Sequence, residues 1–140
     1  MIRTYLDSGV LIAAARLDNS DGICQKALNI LASANRYFIS SYYVKLEVLP
    51  HAIRNKNNLE AQFYETFFNS VNEWVECDQK LLEFAYQQMI ENNGLSGIDA
   101  IHVAAAITAK ADELITTEKI NKPMCQLKTI KVISIHSIIN

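Results

Sequence analysis

The sequence has few of the features that mark membrane, secreted or disulfide-bonded proteins. No apolar run approaches the roughly 18 to 20 residues that span a bilayer, and the first residues lack the apolar stretch and cleavage site of a secretory signal. The cysteines Cys24, Cys77 and Cys125 are odd in number and widely spaced, without a CxxC pair. We therefore expect a cytoplasmic protein without a membrane segment, whose cysteines are buried free thiols.

The chain also lacks an excess of positive charge. It has 13 lysines and arginines against 15 acidic residues, a formal net charge of -2. This balance excludes a broad basic surface that grips nucleic acid, so any such contact must be local. Candidate phosphate contacts are Lys45, Arg54, Lys56, Lys119 and Lys122. For any one of them, solvated surface charge is the better interpretation.

Strand-like and helix-like segments alternate along the 140 residues, which fit one domain over residues 1–140. Strands are expected at 2–6, 37–39, 74–77, 113–116 and 130–135, and helices at 10–17, 23–34, 40–53, 59–71, 81–90 and from Ser96 onward. Pro50 could kink the third helix or mark a boundary near its middle. The alternation predicts a three-layer α/β/α domain whose central sheet is mainly parallel and has four to five strands.

Two acidic residues are expected directly after strands, where open α/β sheets form their functional crevice. Asp7 follows the first strand and Glu118 follows Leu-Ile-Thr-Thr, so both should lie at one edge of the sheet. Asp7 could instead cap the helix that follows, and Glu118 could be a solvated loop residue. Asp112 and Glu113 precede the same strand as Glu118 and should lie at the opposite edge.

Two further acidic residues lie on expected helices. Glu47 stands among apolar residues, where a buried carboxylate would need a cation or hydrogen bonds, although it could simply face water. Asp99 follows Ser96 by three residues and could be its partner in a capping box. His102, one turn later, is expected to support the site rather than to bind a metal.

Four carboxylates at one sheet edge would need cations, because each close pair repels by about 4 kcal/mol at an effective dielectric constant near 20. Oxygen ligands select Mg²⁺ or Mn²⁺ over zinc. Such ions activate and orient water for phosphodiester hydrolysis. We find no nucleophile elbow, P-loop or dinucleotide-binding motif that would support other chemistry.

Three motifs resemble those of the PIN-domain nucleases, and especially the VapC-type toxins of toxin-antitoxin pairs. They are Tyr-Leu-Asp-Ser-Gly-Val-Leu-Ile, Gly-Ile-Asp-Ala-Ile-His-Val-Ala-Ala-Ala and Ala-Asp-Glu-Leu-Ile-Thr-Thr-Glu-Lys, with Glu47 between the first two. The resemblance implies a Mg²⁺- or Mn²⁺-dependent endoribonuclease, a homodimer, an RNA substrate and a small inhibitory antitoxin. It implies an acidic quartet of Asp7, Glu47, Asp99 and Glu118, supported by Ser8, Thr116 and His102.

Two residues depart from the pattern of this family. Gly9 stands where the family usually has Asn, and Glu118 stands where Asp is commoner. Loss of the Asn removes a side chain that could hold the Asp7 loop, while the longer Glu could still reach a metal. These departures leave open a second hypothesis, a PIN-like binding or regulatory module without catalysis. A receiver-type phosphotransfer domain fits poorly, because the first acid has no acidic neighbour.

Overall fold

The computed structural model describes residues 1–18 and 20–139. Five strands and six helices alternate along this part of the chain. They are β1 Ile2–Leu6, α1 Ser8–Arg16, α2 Ile23–Leu31, β2 Arg36–Ser41, α3 Tyr42–Arg54, α4 Asn58–Ser70, β3 Glu73–Val75, α5 Gln79–Glu91, α6 Gly97–Thr108, β4 Glu113–Thr116 and β5 Val132–Ser134. Short 3-10 turns cover Pro123–Gln126 and Ile135–Ser137.

All five strands pair in parallel in the order β3-β2-β1-β4-β5, with helices on both sides, as the sequence predicted. The chain moves from β1 to β3 in one direction and then returns to the other side of β1. The direction therefore reverses between β1 and β4. Such a reversal opens a crevice at the carboxyl ends of the two strands, which is where ligands bind in α/β sheets.

The last long helix, α6, is a central part of the core. Ala100, Val103 and Ala104 have no exposed surface, and the helix packs against α5, β2 and β4. Its alanines leave little room between the backbone of α6 and its neighbours, so the start of α6 is held close to the sheet. This packing fixes the position of Asp99 and His102 relative to β1.

Acidic and basic side chains pair at the amino-terminal edge of the sheet. Buried Glu113 accepts hydrogen bonds from the Thr4 hydroxyl (2.8 Å) and from Arg36 Nε (3.0 Å). Asp112 Oδ2 accepts the Arg3 backbone N–H at 2.7 Å. As expected, these two acids lie away from the carboxyl edge, where they join the strands.

Several element boundaries differ from the sequence predictions. β2 extends to Ser41, α2 ends at Leu31 instead of residue 34, and β5 has three residues instead of six. α3 continues through Pro50 without a break, because Pro50 is exposed and the carbonyl left without its N–H partner can bind water. None of the helices over the described residues is long and apolar enough to cross a membrane.

The three cysteines are free, but only Cys24 is buried. Cys125 is half-buried and Cys77 is exposed, so the prediction of buried thiols is wrong for Cys77. Cys77 lies in the segment between β3 and α5, beyond the last strand residue, where the chain leaves the sheet. The sequence pattern did not place this turn, because the expected strand ran through residue 77.

Replacing Ala104 by leucine should test the packing of α6. We expect Ala104→Leu to lower the free energy of unfolding by about 1 to 3 kcal/mol, since the larger side chain has no space there. Thr108→Leu, at an exposed position of the same helix, serves as control and should change stability little. Denaturant titration of both variants measures this, and equal effects would contradict the tight packing of α6.

Candidate active site

Asp7 is a buried carboxylate beside the carboxyl ends of β1 and β4. It is the N-cap residue of α1, yet its side chain makes no capping hydrogen bond in the described structure. The Thr116 hydroxyl, at the end of β4, donates instead to Asp7 Oδ2 at 2.5 Å. Asp7 Oδ1 is buried and has no hydrogen-bond partner among residues 1–18 and 20–139. Asp7 therefore makes no capping hydrogen bond of ordinary geometry, although the Val10 backbone N–H at the start of α1 favours its negative charge.

The environment of Asp7 disfavours its negative charge. Burial raises the pKa of this carboxyl group to about 6, although the hydrogen bond from Thr116, the nearby His102 and the Val10 backbone N–H act in the opposite direction. The charge of Asp99 raises the pKa further. A buried carboxylate close to the charge of a second acid is a favourable place for a cation.

Asp99 lies in the first turn of α6, and its negative charge acts on Asp7. The Ser96 hydroxyl accepts the Asp99 backbone N–H at 3.1 Å, so the expected cap at the start of α6 exists. The reciprocal half of a capping box is missing, since no hydrogen bond to the half-buried Asp99 carboxylate is found in the described ranges. This carboxylate is therefore available to a ligand.

Glu47 reaches the site through His102. The side chain of Glu47 is 31% exposed, and its Oε1 lies 2.5 Å from Nε2 of the buried His102. The other ring nitrogen of His102 lies 2.8 Å from the Tyr5 hydroxyl, which also lies 2.8 Å from the Ser41 hydroxyl. Burial raises the pKa of Tyr5 well above its ordinary value, so the phenol keeps its hydrogen.

Glu118 lies on a turn that is held by its backbone. Its N–H donates to the Thr116 hydroxyl (3.1 Å), and its carbonyl accepts from the Ser134 hydroxyl (2.6 Å). The carbonyl also contacts the thiol of Cys125, whose pKa is raised by burial and, to a lesser degree, by Glu118 and Asp7. The residue is half-buried, and no hydrogen bond joins its side chain to Asp7 within the described residues.

The four acids do not form one closed cluster. Within the described residues, no group of three or more His, Cys, Asp and Glu side chains is arranged to hold a metal ion. Asp7 and Asp99 interact electrostatically, and Glu47 is linked to them through His102. The unpartnered Oδ1 of Asp7 and the unbonded carboxylate of Asp99 are hard oxygen donors, which fit Mg²⁺ or Mn²⁺.

Gly9 is explained by a neighbour that the sequence pattern did not identify. A Cβ atom at Gly9 would lie 2.1 Å from the Thr117 hydroxyl oxygen, a distance that cannot occur without movement. Thr117 thus occupies the space into which a side chain at position 9 would extend. The first turn of α1, which begins at Ser8, therefore contacts the turn after β4 through Gly9 and Thr117.

Sequence reasoning also missed Tyr5 and Ser41. Tyr5 lies on β1 two residues before Asp7, which directly follows the strand, and side chains at this spacing share a face of extended chain. That periodicity could have identified Tyr5 as a neighbour of the site. Ser41 is the N-cap residue of α3, but its hydroxyl contacts Tyr5 instead of capping the helix.

Asp7→Asn should stabilise the metal-free protein at neutral pH. Because the folded-state pKa of about 6 exceeds the ordinary aspartate pKa of 3.8, the folded state binds the proton more tightly than the unfolded state. The cost of ionising Asp7 is absent below about pH 4, grows as pH rises towards 6, and reaches roughly 3 kcal/mol above it. Chemical unfolding in EDTA at pH 7 and at pH 4 measures the difference between variant and wild type.

Asp78→Asn is the matched control for this substitution. Asp78 caps α5 by accepting the Leu81 N–H, and asparagine caps about equally well, so stability should change little at either pH. An Asp7→Asn variant that is less stable than wild type at both pH values would contradict the account of a destabilised carboxylate.

Gly9→Ala should destabilise the protein although alanine favours helices. We expect a loss of about 1 to 3 kcal/mol from the clash with Thr117. In a Thr117→Ala background the same change should be neutral or stabilising, as should Gly97→Ala, where nothing lies within 4 Å. A double-mutant cycle by thermal unfolding checks this, and additive effects would show that the two turns do not interact.

Comparison with known proteins agrees with this fold. A family model for the PIN domain matches residues 4–121. No curated protein sequence matches the chain. The structure is similar to a toxin-antitoxin complex from Klebsiella pneumoniae, with a TM-score of 0.72 and 20% identity over 96% of this chain and 99% of the other.

Two further solved structures are similar. VapBC2 from Rickettsia felis, bound to a DNA fragment from its promoter, has a TM-score of 0.68 and 15% identity over 95% of this chain and 98% of the other. Mycobacterium tuberculosis VapC20, a toxin that cleaves the sarcin-ricin loop, has a TM-score of 0.63 and 16% identity over 79% and 86%. These likenesses concern the fold. Since the family model covers most of the chain, the chain belongs to the PIN domain family.

Proposed function

We propose that this protein is a metal-dependent endoribonuclease that hydrolyses RNA phosphodiester bonds. The observation that carries the proposal is Asp7, a buried carboxylate with an unpartnered oxygen, beside the charge of Asp99 at the crevice between β1 and β4. The hydrogen bond from Thr116 accounts for one oxygen of Asp7 and leaves the other without a partner. A bound cation would offset the negative charges of Asp7 and Asp99 and would explain why both acids lie there.

Asp7 and Asp99 are the carboxylates that would hold Mg²⁺ or Mn²⁺, with Glu47 and Glu118 as ligands directly or through water. When bound, the ion supplies a water of lowered pKa and stabilises the charge of the leaving oxygen. Thr116 holds Asp7 by its hydrogen bond, which leaves Oδ1 as the free oxygen. The protein itself needs no nucleophile in this chemistry.

The toxin role is proposed from the family and from the structural neighbours. Two of them are toxin-antitoxin complexes and one is an RNA-cleaving toxin. By this likeness we propose an RNA substrate, a small antitoxin as partner, a homodimer as the active assembly, and action in the cytoplasm. Lys119 directly follows Glu118 and is exposed, so it is placed to contact a phosphate near the crevice.

A second candidate function is a PIN-domain module that binds RNA without cleaving it. It is favoured by one observation, the lack of three converging acidic or histidine side chains among the described residues. The two functions differ in what they require of Asp7 and Asp99. A nuclease needs both for a metal ion, whereas a binding module would bind RNA equally well without either.

Substitution of the two central acids tests the nuclease. We expect Asp7→Asn and Asp99→Asn each to lower the rate of RNA cleavage by about 10² to 10³, since each removes a charged ligand of the cation. The measurement is cleavage of a structured RNA by purified protein in Mg²⁺ or Mn²⁺, with and without EDTA.

Asp112→Asn provides the control, because Asp112 is an exposed acid at the opposite edge of the sheet. Its cleavage rate should equal that of the wild type. Cleavage that persists in both site variants, or in EDTA, would rule out the proposed mechanism. RNA binding without cleavage in the wild type, unchanged in the variants, would favour the binding module.

A further inference from the structure

A buried chain of hydrogen-bonding groups leads from the core to Glu47. The Ser41 hydroxyl lies 2.8 Å from the Tyr5 hydroxyl, which lies 2.8 Å from His102 Nδ1. His102 Nε2 lies 2.5 Å from Glu47 Oε1. Ser41 and Tyr5 have no exposed surface and His102 has 1%. This series of hydrogen bonds thus joins β1, the junction of β2 with α3, and α6.

The chemistry of the groups gives the chain one direction. Glu47, as a carboxylate, can only accept, so His102 Nε2 carries a hydrogen and donates it. Nδ1 of a neutral imidazole is then an acceptor, and the Tyr5 hydroxyl donates to it. The Tyr5 oxygen in turn accepts from Ser41. For a neutral His102, every group in this series is satisfied only in the Nε2–H tautomer.

The Ser41 hydroxyl takes part in this series of hydrogen bonds and does not cap a helix. Ser41 is the N-cap residue of α3, but its side chain makes no capping bond in the part of the chain that is described. Three other helices are capped by the side chains of their N-cap residues, α4 by Asn57, α5 by Asp78 and α6 by Ser96. A serine cap is worth about 1 kcal/mol. The hydroxyl is therefore placed for Tyr5 and not for the stability of α3.

We propose that Tyr5 and Ser41 are positioning residues that fix the tautomer of His102 and, through it, the carboxylate of Glu47. His102 engages Oε1 and leaves Oε2 as the oxygen that Glu47 offers to the site. Hydrogen bonds of this kind orient metal-binding carboxylates in proteins, and their loss weakens metal binding. This inference rests on the proposed function, because Glu47 has a ligand role only if a cation binds there.

A purely structural role for the chain would give a different result. In that case, loss of the Tyr5 hydroxyl would lower the free energy of unfolding and nothing else. A matched control is available in Tyr64, which is equally buried and donates its hydroxyl to the Glu60 carboxylate at 2.6 Å, away from the site. Tyr5→Phe and Tyr64→Phe each remove one buried hydroxyl that donates a hydrogen bond.

The test combines two measurements on wild type, Tyr5→Phe and Tyr64→Phe. Nitrogen-15 NMR of the side chains reports the tautomer of His102 in the metal-free protein, which has only three histidines. Titration with Mn²⁺ reports the affinity of the site. We expect the Nε2–H tautomer in wild type and in Tyr64→Phe, a mixture of tautomers in Tyr5→Phe, and a Mn²⁺ affinity about tenfold lower in Tyr5→Phe alone.

The proposal is overturned if wild-type His102 carries its hydrogen on Nδ1, or if Tyr5→Phe keeps both the tautomer and the Mn²⁺ affinity of the wild type. If Tyr5→Phe does not fold, Ser41→Ala, which removes only the donor to Tyr5, is judged by the same two readouts. A wild type that cleaves no RNA, while Tyr5→Phe shows the expected losses, would contradict the ribonuclease and support the positioning role.

Discussion

The buried carboxylate of Asp7 is the feature around which the functional edge of this protein is organised. One of its oxygens accepts from Thr116, and the other has no partner in the described structure. An ionised group in this state is costly, because burial removes water without replacing it. Thr116, His102 and the Val10 N–H relieve this cost only in part, because the effect of burial is larger. Asp99 adds a second negative charge, and the turn at Thr117 closes against Gly9.

Two other buried acids, Glu113 and Glu60, accept several hydrogen bonds from their neighbours. Glu113 accepts from Thr4 and Arg36, and Glu60 accepts from Asn57, Tyr64 and Arg16. Both stabilise contacts between elements. Asp7 differs from these two acids because one of its oxygens lacks a hydrogen-bond partner in the described structure. It lies at the carboxyl edge of the sheet, where the direction of the strand order reverses between β1 and β4. A charge left without partners at such a place is better explained by a ligand than by folding.

The sequence predicted the parallel sheet, the order of the elements and the edge at which Asp7 and Glu118 lie. These depend on periodicity and on the position of residues after strands, which are local properties. The contacts it did not predict join residues far apart in the chain. Ser41 looks like a helix cap until Tyr5 is brought beside it, and Gly9 looks like a lost side chain until Thr117 fills its space. The role of His102 as a link to Glu47 likewise follows from packing of α6 against α3.

Our central proposal is that the unpartnered oxygen of Asp7 is a ligand site for a divalent cation. Crystals grown with Mn²⁺, measured at a wavelength where manganese scatters anomalously, test it most directly. We expect an anomalous peak in contact with Asp7 Oδ1 and the Asp99 carboxylate, while Thr116 keeps its hydrogen bond to Oδ2. A map without a peak there, or with a side chain of the protein bonded to Oδ1, would contradict the claim.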